Sequence, residues 1–159
     1  MSVYEVLALS FVIGVLTGCR SIAGPAAVCW AARLNWLHLQ DSPLAFLRST
    51  AAVAVFTVLA VAELVADKLP IAPDRRSVGS LIDRVIMGGL CGAALCISSA
   101  QSLWAGAVLG ALGALAGAFG GYEVRHRIVA SGKAPDIAVA IIEDLISVGG
   151  DLWIVSSLK

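Results

Sequence analysis

The sequence predicts an all-α integral membrane protein with about six transmembrane helices. Of its 159 residues, 59% are hydrophobic and only 14% are charged, whereas soluble domains are about half apolar and about a quarter charged. The mean hydropathy is +0.92, and a soluble domain of this size must leave too much surface in water to bury so many apolar residues. Residues 102–122 contain no charge and are long enough to cross about 30 Å of hydrocarbon.

Six apolar segments follow one another in a single predicted domain that covers residues 1–159. The predicted spans are 3–17, 22–37, 44–66, 82–98, 102–122 and 137–157. The first has Glu5 near its start and lacks a basic leader, so we expect a retained helix rather than a cleaved signal peptide. The second begins with Gly24 and Pro25 and contains Arg33, so it is a short span, a tilted span or a re-entrant half-helix.

The basic residues favour six crossings, which place both termini outside the cytoplasm. Six spans put eight basic residues on one side and three on the other, whereas the split is seven to four if the second segment does not cross. An excess of Lys and Arg marks the cytoplasmic side. The eight are Arg20, Lys68, Arg75, Arg76, Arg84, Arg125, Arg127 and Lys133, and the three are Arg33, Arg48 and Lys159.

Six spans divide into two sets of three, which suggests a 3+3 inverted repeat with halves 1–80 and 81–159. An odd number of spans inverts the second half relative to the first. The third and sixth segments share a Glu followed by an Asp, in "ELVAD" and "ED". The second and fifth segments are both rich in Gly and Ala and end in basic residues, "AAR" and "EVRHR".

Glycines in the fourth and fifth segments recur at helical spacing. They are Gly106, Gly110, Gly113, Gly117 and Gly120 in the fifth segment, and Gly88 and Gly92 in the fourth. Small residues on one helix face let another backbone approach closely, which favours helix association in lipid. The partner is a helix of the same chain or of a second copy, and we expect a homodimer through this Gly-rich face.

Acidic residues within the apolar segments are the candidate functional groups. Glu63 and Asp67 end the third segment, whereas Glu143, Asp144 and Asp151 lie in the sixth. Charged groups in spans are costly and mark ion or substrate paths. Glu63 and Glu143 are therefore predicted to bind a proton or cation, with Asp144 assisting. Asp67 lies at the membrane interface, and Asp144 and Asp151 share a helix face. The alternative is that the acids form ion pairs, with Arg20, Arg48 or Arg84 as the partner.

The stretch "GCRSIAGPAAV", residues 18–28, is the second candidate. Pro25 suits the first turn of a helix, and Ser21 or Gly24 can cap or precede it. The free N–H groups of such a helix start, with Arg20 nearby, can hold the carboxylate of a substrate, of Glu63 or of Glu143. The alternative is an ordinary helix start with an Arg that sets topology.

Several classes of function lack support in the sequence. The net charge is zero, which gives no reason to expect nucleic-acid binding. His38 and His126 belong to no metal-ligand spacing, and the four cysteines form no CxxC pair. We therefore expect no metal, no cofactor and no enzymatic activity, since none of the common catalytic motifs is present.

Four stretches together carry a resemblance. They are "GCRSIAGPAAVCWAARL", "AELVADKLPIAPDRR", "GALAGAFGGYEVR" and "EDLISVGG", which include the patterns GxRSxxxP and ExxxDKxPxxPxR. The chain resembles a family of small bacterial integral membrane proteins built on a domain of unknown function. The resemblance covers nearly the whole chain and implies a multi-pass protein of the bacterial inner membrane, in contact with lipid. It supplies no activity.

Taken together, these features predict a transporter or channel-like protein that moves a small solute or cation, coupled to protons through its intramembrane carboxylates. The competing interpretation is a structural or scaffold membrane protein that transports nothing, in which the same acids are salt-bridged.

Overall fold

The computed structural model describes residues 1–66, 77–130 and 135–159. Asp67, one of the predicted interfacial acids, lies outside these residues. The described chain forms six α-helices and one 3-10 helix, without a strand. The helices are α1 Val3–Cys19, α2 Ala23–Arg33, α3 Thr50–Ala66, α4 Val78–Ser98, α5 Leu103–Ala130 and α6 Asp136–Ser157, and the 3-10 helix is Ala45–Arg48.

The helix ends follow local capping chemistry. Ser2 and Glu5 form a capping box at the start of α1, in which the Ser2 backbone N–H donates to the Glu5 carboxylate at 2.7 Å. Asn35 has a φ of 59° just after α2, and Ala100 has a φ of 55° just after α4. Both are left-handed residues that terminate a helix. This is why α2 has only 11 residues, fewer than the predicted second segment.

Helices α1, α4 and α5 pack most closely, and glycines form their contacts. A Cβ added at Gly106 or Gly110 would overlap the backbone of α4, whereas one added at Gly113 or Gly117 would overlap the backbone of α1. A Cβ added at Gly120 would meet nothing within 4 Å. The other backbone contacts come from Gly88 and Gly92 of α4 and from Gly14 and Gly18 of α1.

These contacts show that most of the Gly-rich face packs against helices of the same chain. That part of the face is covered by α1 and α4, because only glycine allows backbones to come so close. Gly120, at the end of this face, is covered by neither helix, and the homodimer stays a prediction. The repeat also lacks support from the packing, since the boundary between halves 1–80 and 81–159 falls inside α4. In addition, α4 packs closely on α5, whereas α1 and α2, the corresponding pair, have little contact.

Neighbouring helices alternate in direction along the chain. Gly18 of α1 is next to Ala114 of α5, and Gly14 is next to Gly110, so α1 and α5 run the same way. Arg84 at the start of α4 reaches the end of α1, so α4 runs the opposite way. Helix α3 runs antiparallel to α2, and α6 runs antiparallel to α1.

This alternation gives the bundle two chemically different ends. Helices α1, α3 and α5 all terminate at one end of the bundle, which we call the basic end. Its described basic residues are Arg20, Arg84, Arg125 and Arg127. The opposite end, the Trp end, contains both chain termini and all four tryptophans, Trp30, Trp36, Trp104 and Trp153.

Two of the described helices, α4 and α5, are long and apolar enough to cross a membrane by length and composition. The apolar helices α1 and α3 have 17 residues each, and the 22-residue helix α6 carries three acids in its interior. Large apolar side chains are exposed on all six helices. Examples are Val12, Trp30, Val58, Ile86, Val108 and Ile146, one from each helix in order.

Candidate functional site

Polar side chains from several helices meet where α1 ends and α2 begins. The connection consists of Arg20, Ser21 and Ile22. The Arg20 side chain is completely buried, and Ser21 is also buried. Because burial of a charged or polar group is costly without partners, the acids that reach this connection determine whether it is stable.

Glu63, in the last turn of α3, binds this connection with its carboxylate. Its Oε1 accepts hydrogen bonds from the Ser21 N–H at 2.8 Å and from the Ser21 hydroxyl at 2.9 Å, and its Oε2 accepts one from the Ile22 N–H at 3.0 Å. Free N–H groups before a helix favour an anion electrostatically as well as by hydrogen bonding. The carboxylate at the start of α2 is therefore that of Glu63, one of the alternatives that the sequence suggested. Ser21 does not cap the helix, because the N-cap residue is Ile22 and no side chain caps α2.

Arg20 reaches in the other direction, to α6. Its guanidinium forms an ion pair with the carboxylate of Asp144, whose side chain is 13% exposed. An ion pair removed from water is stable only when geometry and further hydrogen bonds compensate the lost hydration. Two neighbouring residues, Arg20 and Ser21, are thus held by carboxylates from two different helices.

Arg84 of α4 contacts the last residues of α1, directly before the same connection. Its guanidinium donates hydrogen bonds to the backbone carbonyls of Gly18 and Cys19, the latter at 3.0 Å, and its Nε donates to the Ser80 hydroxyl at 3.1 Å. The last carbonyls of a helix lack partners within the helix and attract cations. Arg84 therefore stabilises the end of α1.

Glu143 does not join this group, although it was predicted alongside Glu63. Its side chain points towards α5, where Arg125 lies 3.7 Å from its carboxylate. Consecutive helix residues project about 100° apart, so Glu143 and Asp144 interact with different neighbours. The predicted pair of glutamates is thus divided between two parts of the bundle.

Asp151 is the fully buried acid among the described residues, and it has no hydrogen bond there. It is fully buried in α6, and neither carboxyl oxygen has a hydrogen-bond partner among the described residues. Ser147, one turn before it, is also buried, and its hydroxyl likewise has none among them. Glu63 and Cys91 both lie close enough to Asp151 for electrostatic interaction.

The start of α2 closes over this region. A Cβ at Gly24 would overlap the Thr17 hydroxyl and would lie 3.3 Å from the Cys91 sulfur, so glycine is required for this approach. Pro25 follows in the first turn, where its missing N–H costs no helical hydrogen bond. We call the whole group the polar core. It consists of Thr17, Arg20, Ser21, Glu63, Cys91, Asp144, Ser147 and Asp151.

Sequence reasoning did not select three members of the polar core. Cys91 is one of four cysteines that form no CxxC pair, and Thr17 and Ser147 belong to none of the predicted sites. Ser147 had a detectable signal, because its position three residues after Asp144 and four before Asp151 places it on their face of α6. Thr17 and Cys91 had none, since only tertiary packing brings Thr17 to Cys91 and Cys91 to Asp151. Within the described residues, no group of three potential ligands is arranged to hold a metal ion.

Residues 7–156 match the family described as Domain of unknown function (DUF4126). The chain belongs to this family. The match includes every residue of the polar core and the described glycine contacts between α1, α4 and α5. No curated protein and no solved structure matches the chain. Family membership therefore adds no activity, and the polar core is the basis for a functional proposal.

Proposed function

We propose that this chain is a multi-pass protein of the bacterial inner membrane. Support comes from the apolar helices α4 and α5 and from large apolar side chains exposed on every helix, a distribution that suits lipid better than water. The basic end faces the cytoplasm, in agreement with the positive-inside rule, and the tryptophans of the Trp end lie at the opposite interface, where aromatic rings are enriched.

Its proposed function is to move a small solute or cation across this membrane, coupled to protons. One observation carries the proposal: carboxylates from α3 and α6 meet at the α1–α2 connection, beside the fully buried side chain of Arg20. Buried ionisable groups between apolar helices are expensive and are typical of ion and proton pathways. The connection is also a break between two helices, and interrupted helices are common at binding sites in transporters.

The contacts suggest how coupling would work. In its ionised form, the Glu63 carboxylate accepts three hydrogen bonds, two from Ser21 and one from Ile22. A proton on this carboxylate removes its charge and weakens its bonds to Ser21 and Ile22. The Arg20–Asp144 pair and the Arg84 contacts at the end of α1 would still hold the α1–α2 connection, whereas α3 would be free to move relative to α6. Two such arrangements, each favoured by a different protonation state, are what coupled transport requires.

A scaffold that transports nothing is the second candidate, and a specific observation favours it. Glu63, Asp144 and Glu143 each have an internal partner, as expected if these acids only lock the helices together. In this case their replacement would weaken the fold and affect no flux.

Proteoliposomes that contain a pH-sensitive dye distinguish the two candidates. We expect the parent protein to show proton flux driven by a gradient of a transported cation or solute, and Glu63→Gln to lower it at least tenfold while the purified protein stays monodisperse. Glu123→Gln is the matched control, because Glu123 is exposed at the basic end, where it pairs with Arg127, and should leave the flux unchanged. Absence of flux in the parent across a panel of monovalent cations and small organic ions, with loss of stability in Glu63→Gln, would support the scaffold.

A further inference from the structure

We propose that Asp151 is a second proton-binding group of this protein, in addition to Glu63, with Ser147 one helical turn before it. The inference rests on the proposed transport function and names the coupling ligand, a proton, and its site.

The acids differ in what neutralises them. Glu63 accepts three hydrogen bonds from the α1–α2 connection, Asp144 pairs with Arg20, and Glu143 lies beside Arg125. Asp151 is as buried as Arg20, yet no described hydrogen-bond donor reaches its carboxyl oxygens. An isolated carboxylate in an apolar interior is too costly to persist, so such a group is neutralised by a bound proton or cation.

The surroundings of Asp151 favour a proton over a metal cation. Hard cations take about six oxygen ligands, whereas the neighbours here are the Ser147 hydroxyl and the Cys91 thiol, a soft ligand. The Glu63 oxygens are already engaged, and the Thr17 hydroxyl donates to the Ile13 carbonyl at 2.7 Å. A proton needs only one carboxyl oxygen and no coordination shell.

Groups on every element around Asp151 determine its response to pH. Glu63 approaches from α3, and the Cys91 thiol approaches from α4, with Cys29 of α2 next to Cys91. From α6 itself comes Asp144, which is neutralised by Arg20 at the end of α1. Within the described residues, the acid that faces Asp151 without a basic partner is therefore Glu63.

The position of Asp151 along α6 suits a relay. It lies seven residues beyond Asp144, about 10 Å further from the basic end, on the same helix face. Ser147 lies between them on that face, with a hydroxyl that can both donate and accept. Asp144, Ser147 and Asp151 thus form a polar line from the α1–α2 connection towards the Trp end.

Infrared difference spectroscopy between acidic and alkaline buffers tests the inference directly. We expect the parent to show a carboxylic-acid C=O band that changes with pH, and Asp151→Asn to remove it. Glu63→Gln and the surface control Asp41→Asn, on the exposed loop at the Trp end, should both retain this band. Asp151→Glu keeps a carboxyl group and should show the band at a shifted position, which separates loss of the proton site from misfolding.

Flux measurements then separate this inference from the proposed function. If the parent protein shows proton-coupled flux and Asp151→Asn lowers this proton flux at least tenfold, the inference stands. If Asp151→Asn retains both the band and the flux, or loses the band with unchanged flux, Asp151 is not the coupling site, although transport itself remains established. If the parent shows no flux for any cation or solute, the transport function fails and this inference fails with it.

Discussion

Gly117 and Gly120 lie three residues apart on α5 and differ completely in their surroundings. A Cβ added at Gly117 would lie 2.8 Å from the Val15 carbonyl carbon of α1, about 0.6 Å short of the 3.4 Å at which ordinary contact begins. A Cβ added at Gly120 would meet nothing within 4 Å. The substitutions Gly117→Ala and Gly120→Ala therefore form a matched pair.

The expected difference in stability can be worked out from these distances. Both substitutions gain the same helix propensity, up to about 1 kcal/mol. Only Gly117→Ala must push α1 and α5 apart against rigid backbone, and overpacking of this kind costs about 1–3 kcal/mol. Because the propensity gain cancels in the comparison, Gly117→Ala should be less stable than Gly120→Ala by about 1–3 kcal/mol.

Thermal unfolding of the two purified variants in the same detergent measures this difference. At this chain length about 1 kcal/mol shifts Tm by about 2–4 °C, so Gly117→Ala should melt several degrees below Gly120→Ala. Equal melting temperatures would refute the reasoning, since they would mean that α1 and α5 are not in backbone contact at Gly117. A lower Tm for Gly120→Ala would indicate that another chain covers that face.

Two further predictions concern the α1–α2 connection. Arg20→Met leaves the Asp144 carboxylate without its buried partner and should destabilise the protein by about 3–5 kcal/mol. The double variant Arg20→Met with Asp144→Leu should recover part of this loss, which a double-mutant cycle of unfolding free energies measures. Additive effects would show that the two side chains do not interact. Ser21→Ala removes one of the three donors to the α3 carboxylate and should cost about 1.5–3 kcal/mol. Ser156→Ala, whose exposed hydroxyl bonds only within its own helix, should cost much less, and an equal cost would contradict the structure.

Helix positions followed from the sequence more reliably than helix ends. Apolar segments predicted a helix at each of the six places where one is found, because runs of apolar residues reflect the requirement to avoid water. The fifth segment was expected to stop at residue 122, but α5 continues to Ala130. Hydropathy detects where apolar character ends, whereas Glu123 and Arg127, four residues apart and ion-paired, support a helix that continues beyond it.

For the third segment, the predicted helix is longer than the one that the structure contains. It was predicted to begin at residue 44, whereas the structure has a 3-10 helix at Ala45–Arg48 and starts α3 at Thr50. Ser49 is extended, and its hydroxyl accepts a hydrogen bond from the Ala52 N–H at 3.1 Å, a local capping interaction that competes with continuous helix. Periodicity over a long window does not resolve such a break.

The candidate site was predictable in its residue types and only partly in its contacts. Acids in apolar segments and the GxRSxxxP stretch directed attention to Glu63, Arg20, Ser21 and Asp144, which do meet in the structure. The choice of partner was open, because an arginine and a helix start both satisfy a carboxylate. Packing decided it by placing Arg20 towards α6 and Ser21 towards α3.

The sequence by itself determined that the chain is helical and apolar, that glycines recur on one face of α5, and that carboxylates lie within apolar helices. These are properties of one helix at a time, set by composition and by the 3.6-residue period. Only the tertiary structure decided that Gly106 and Gly110 face α4 whereas Gly113 and Gly117 face α1. It also decided that Asp151 is fully buried with no hydrogen-bond partner among the described residues. The physical reason is that periodicity defines a helix face, whereas the atoms that meet this face belong to residues far away in the chain.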